Sequence, residues 1–68
     1  MTNIDKQLQK QAEKFVKEMC IDTWGMSRDE VKNYCLMLIK QNIIMAMFEK
    51  DYMKTANAYK EVLKNYEN

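Results

Sequence analysis

The chain has no histidine, no proline, a single glycine and two cysteines in 68 residues. Without histidine there is no Ser–His or Cys–His pair for nucleophilic catalysis, and the usual nitrogen ligand of zinc is missing. Cys20 and Cys35 alone cannot complete a four-ligand zinc site. One glycine, Gly25, cannot build a glycine-rich loop that cradles phosphate. The carboxylates are scattered over polar positions, mostly three or four residues from a lysine, which is ordinary helix-surface pairing. The expectation is a protein that is not an enzyme, with no catalytic, cofactor-binding or metal-ligating residues.

Long hydrophobic runs are also missing. The longest unbroken apolar stretches are residues 34–39 and 43–48, separated by Lys40, Gln41 and Asn42. A membrane-spanning helix needs about 20 mostly apolar residues, so no membrane span is expected. The N-terminus lacks the basic-then-apolar pattern of a secretory signal. This predicts a reducing, cytoplasmic setting in which both cysteines are thiols. Net charge is +1, too small to steer the whole chain toward nucleic acid or an acidic membrane.

What the chain does have is apolar and helical. Apolar residues make up 47% and charged residues 31%, which excludes general disorder. The near absence of helix breakers predicts long helices with short links. A single domain, residues 1–68, is expected. A domain of this size is marginal alone and needs a staple, a partner copy or very good helix packing.

Helix one is predicted over about 3–23, capped by Thr2 or Asn3. Ile4, Leu8, Ala12, Phe15, Val16 and Met19 recur at three- and four-residue steps and form one apolar stripe. Lys6, Lys10, Lys14 and Lys17 line the polar side, as a solvated face or as a candidate basic stripe for phosphate. Trp24 and Gly25 end the helix, with the glycine suited to a left-handed terminating position. Trp24 either packs over the turn or serves as an anchor for a partner.

Residues 27–30, Ser-Arg-Asp-Glu, form a capping box that opens helix two, predicted over about 28–49. That assignment gives the only serine a structural role. Helix two is apolar nearly all round, as a buried helix would be. Its widest arc holds Val31, Tyr34, Cys35, Leu38, Ile39, Met45 and Ala46. A second holds Leu36, Ile43 and Met47, and a third Met37, Ile44 and Phe48. Asn42 falls within the widest arc, where a lone asparagine either bonds locally or fixes the register of a partner.

Helix three is predicted over about 51–66, with Asp51 as a possible N-cap and fusion to helix two as the alternative. Tyr52, Tyr59 and Tyr66 lie seven apart, the spacing of a half-buried seam. Residues 48–68, FEKDYMKTANAYKEVLKNYEN, resemble the second half of a tetratricopeptide repeat, with Asp51-Tyr52 at the entry to its second helix and Tyr59, Val62 and Leu63 at packing positions. Thr55 replaces the family's usual alanine and the turn glycine is missing. The resemblance implies helix-hairpin packing, and peptide binding is not carried over from it.

The expected fold is therefore all-α, a three-helix antiparallel bundle with helix two as its central hydrophobic helix. Two flanking stripes cover two arcs of helix two, which leaves a third for a second copy or another protein. The candidate interface is Trp24, Leu36, Met37, Asn42, Ile43, Ile44, Met47 and Phe48. The function expected is a non-enzymatic protein–protein interaction module, such as a small bacterial or phage-encoded regulator, inhibitor or adaptor. The alternative is a nucleic-acid-associated helical dimer using the lysine stripe. A helix-turn-helix reader is disfavoured, because helix two offers methionine, isoleucine and phenylalanine where base edges need polar side chains.

Overall fold

The computed structural model describes residues 3–67. It is all-α: α1 (Asn3–Phe15), a π-helical continuation (Val16–Thr23), α2 (Arg28–Met45) and α3 (Tyr52–Lys64). The three helices pack as an up-down-up bundle of 32 × 24 × 23 Å. Arg28, at the start of α2, donates to the carbonyl of Asn65 just past α3 (3.3 Å), so those two helices are antiparallel. Early α1 residues Asp5 and Gln9 share a groove with Lys54 and Asn57 of early α3. Later residues Glu13 and Lys17 share another with Val62 and Asn65, so helices one and three run the same way.

Asn3 is itself helical, within α1, rather than a cap before it, and Thr2 lies outside the described residues. The expected apolar stripe holds in its middle: Ala12 and Val16 are buried, Leu8 and Phe15 half-buried, but Ile4 and Met19 are exposed. The change in winding explains Met19. Closing each turn five residues back widens the helix. A four-residue step, which overshoots a turn of α-helix, falls short of a wider π turn. Cys20 therefore stacks above Val16 in the core, while Met19 swings outward.

The wide winding runs to the end of helix one. Gly25 takes φ +61°, a left-handed conformation that favours glycine. Met26 N–H donates to Cys20 C=O (2.9 Å) and Gly25 N–H to Ile21 C=O (3.1 Å). Each bond reaches one residue further back than in the usual Schellman closure of an α-helix. The capping box then starts α2 as expected. Ser27 Oγ accepts from Glu30 N–H (3.3 Å), and Glu30 Oε1 accepts from Ser27 N–H (3.0 Å). The Ser27 backbone N–H, then its hydroxyl, hold the Glu30 carboxyl below its ordinary pKa.

Three expectations about the second half need correction. Helix two stops at Met45, short of residue 49, and is not fused to helix three. The link runs in tight i→i+3 turns: Met47 N–H to Ile44 C=O (3.1 Å), Phe48 to Met45 (3.0 Å), Tyr52 to Glu49 (3.2 Å) and Met53 to Lys50 (3.0 Å). These satisfy the chain ends without glycine or proline. Asp51 does not cap α3 through its side chain; its backbone is already helical, and its carboxylate faces Lys54 at 3.9 Å.

The third correction concerns the middle of the bundle. Helix three, not helix two, packs along both neighbours. The backbone of helix one meets α2 only through its π-helical half. The core joins Ala12, Val16 and Cys20 to Val31, Cys35 and Ile39 of α2 and to Ala58, Val62 and Leu63 of α3. The tyrosine seam forms as expected, with Tyr52, Tyr59 and Tyr66 all half-buried. Among the described residues, no helix is long and apolar enough to cross a membrane.

Candidate interaction surface

Helix two buries a single stripe, Val31, Cys35 and Ile39, with Tyr34, Leu38, Asn42 and Ala46 half-buried beside it. Helices one and three both approach α2 from that side. Their two apolar stripes therefore cover one arc, not two. Both remaining arcs face outward: Leu36, Ile43 and Met47 on one line, Met37, Ile44 and Phe48 on the next. Exposed Lys40 lies between them. The tight turns after Met45 carry Met47 and Phe48 furthest from the core, at 83% and 84% exposure. Ile44 is 58% exposed, on a helix whose inner residues are nearly inaccessible.

The other two candidate interface residues do not join this face. Trp24 sits before the start of α2, one helix length away from Phe48. An 18-residue helix spans roughly 27 Å. Trp24 packs over the turn, the first of its two expected roles: its ring stands edge-on to Tyr34 (5.8 Å between centroids, 73°), and 52% of the residue remains accessible. Asn42 lies on the inward stripe, and its amide donates to Leu38 C=O at 2.8 Å. That bond lies within one helix, so Asn42 is placed neither to touch an outward partner nor to set its register. Met45 and Met53, which were not among the expected interface residues, are also exposed on α2 and α3. Membership of the widest apolar arc predicts burial for Met45, so the wheel gives no signal of its exposure.

The lysine stripe is solvent-facing as expected: Lys6, Lys10, Lys14 and Lys17 are all exposed. Glu13 and Glu18, also exposed, interrupt it. Elsewhere the surface mixes charged side chains, including a Lys64–Glu61 pair at 3.0 Å, with scattered apolar ones such as Ile4, Met19 and Ile21.

Both cysteines are free thiols in the core. Burial raises the Cys20 pKa, and burial together with neighbouring Cys20 pushes Cys35 up to about 11. Both stay protonated at neutral pH, the opposite of a thiol tuned for attack. Burial also raises the hydroxyls of Tyr59 and Tyr66. Among the described residues, no group of three or more potential ligands from cysteine, aspartate and glutamate is placed to hold a metal ion. The most distinctive surface is thus the outward side of α2 and its link. It offers large, flexible apolar side chains, a material suited to contact rather than to chemistry. Comparisons with protein-family models, with curated proteins and with solved structures find no match for this chain.

Proposed function

We propose that this chain is a non-enzymatic helical docking module, of the kind used by small bacterial or phage-encoded regulators, inhibitors and adaptors in the cytoplasm. Its outward α2 face, Leu36, Met37, Ile43, Ile44, Met47 and Phe48, is the docking surface. The observation that carries this reading is the pair Met47 and Phe48, each more than four-fifths exposed beside two further exposed isoleucines. Contiguous apolar surface of this kind on a small chain marks a contact site or invites aggregation.

A photoreactive phenylalanine analogue at position 48, irradiated in the native host, tests the reading. The expected result is a protein adduct at position 48 and little at position 10, on the lysine face. Equal protein yields at the two positions, or none at position 48, contradict it. An RNA or DNA adduct at position 10 with none to protein at position 48 would favour the nucleic-acid alternative instead.

A further inference from the structure

We infer that the occupant of the outward α2 face is a second copy of this chain, packed antiparallel through a two-fold axis that crosses the outward side of the helix at the level of residue 42; this rests on the docking role proposed above. The first support is area. The six outward apolar side chains leave accessible the equivalent of between three and four fully exposed ones. At on the order of 150 Å² for each large apolar side chain, one copy offers on the order of 500 Å². Two copies together reach about 1,000 Å², the size at which specific interfaces begin.

The second support is the spacing of the face. A two-fold contact puts the same patch on both copies, so the patch must complement itself after rotation. Leu36 and Met37 lie six and five residues before position 42; Phe48 and Met47 lie six and five after it. An antiparallel pairing centred there makes each line meet itself, setting Leu36 against the second copy's Met47 position and Met37 against its Phe48 position. Ile44 then meets the aliphatic stem of Lys40, whose ammonium reaches out to water. The i→i+3 turns at Met47 and Phe48 continue the helical course, which keeps these residues on the same side.

The pairing also brings two Lys40 side chains near the axis, about 6 Å apart along the helix direction. Their repulsion gives the contact a recognisable signature. Sedimentation equilibrium of the full chain, from micromolar to millimolar concentration, reads it. The average mass should rise from 8.2 kDa toward twice that value. Ile44→Glu should weaken association at least about tenfold, since each dimer then buries two carboxylates. Lys40→Gln should strengthen it, and added sodium chloride should strengthen the wild type by screening the lysines. Circular dichroism confirms that each variant is folded, and Phe48→Ser serves as a second weakening variant. A mass of 8.2 kDa throughout, or Ile44→Glu associating like the wild type, overturns the second-copy assignment. The docking role fails separately, when position 48 yields no protein adduct of any kind.

Discussion

Leu63→Ala is expected to cost about 2–5 kcal/mol and to lower the melting temperature by at least about 10 °C. The reason lies in what the core is made of. The largest side chains with almost no accessible surface are Val16, Val31, Val62, Cys20 and Cys35, all small. Among the buried residues only Ile39 and Leu63 are larger. Leu63 packs on the helix that contacts both of the others, so its removal opens a cavity shared by the whole bundle. A chain of this length has a total stability of only about 3–10 kcal/mol. The variant is therefore expected to lose a large share of its total stability. Urea denaturation followed by circular dichroism checks this; a loss under about 1 kcal/mol would mean that the core is not closed around Leu63.

Phe15→Ala is the second large effect, expected at about 2–3 kcal/mol. The usual loss for phenylalanine truncation is larger, but Phe15 is half-buried. Its ring stacks on Tyr34 of α2 (6.5 Å, 21°) and stands edge-on to Tyr59 of α3 (6.4 Å, 83°). Trp24 extends the chain of rings through Tyr34. These side chains bridge helix one to α2 where the α1 backbone itself does not approach. Phe15→Leu restores apolar bulk without the ring geometry, and should remain about 0.5–1.5 kcal/mol less stable than the wild type. Thermal melts of both variants, with near-ultraviolet circular dichroism of the tyrosines and Trp24, separate the two contributions. Equal stability of Phe15→Leu and wild type would remove the ring pairs from the account.

Local signals were readable from sequence where they rest on short-range chemistry. The Ser27–Glu30 box and Gly25 fix the turn between helices one and two through neighbours in sequence. The tyrosine seam of α3 follows from a seven-residue period. The end of α2 was not readable, because the tight turns of residues 45–51 use no glycine or proline and leave the apolar pattern unbroken. Nor was the π winding of Val16–Thr23, which leaves composition unchanged and only rotates Met19 out and Cys20 in. The largest difference is geometric. Counting stripes predicted that two helices would cover two arcs of α2, but stripes say nothing about direction of approach. Both neighbours arrive on the Val31–Cys35–Ile39 side, so Leu36 and Met37 share the outward side with Ile44 and Phe48. Trp24 and Asn42 carried plausible interface chemistry; the fold sends one to the far end and the other inward.

The central claim is that this chain leaves the outward side of α2 uncovered by its own residues. The seven methionines supply natural probes for it. Methyl-labelled methionine spectra of the dilute chain, recorded with a soluble paramagnetic agent, should show strong broadening of Met37 and Met47 and weak broadening of half-buried Met26. Strong protection of Met47 in the dilute chain would contradict the claim, because some part of the chain itself would then be covering that face.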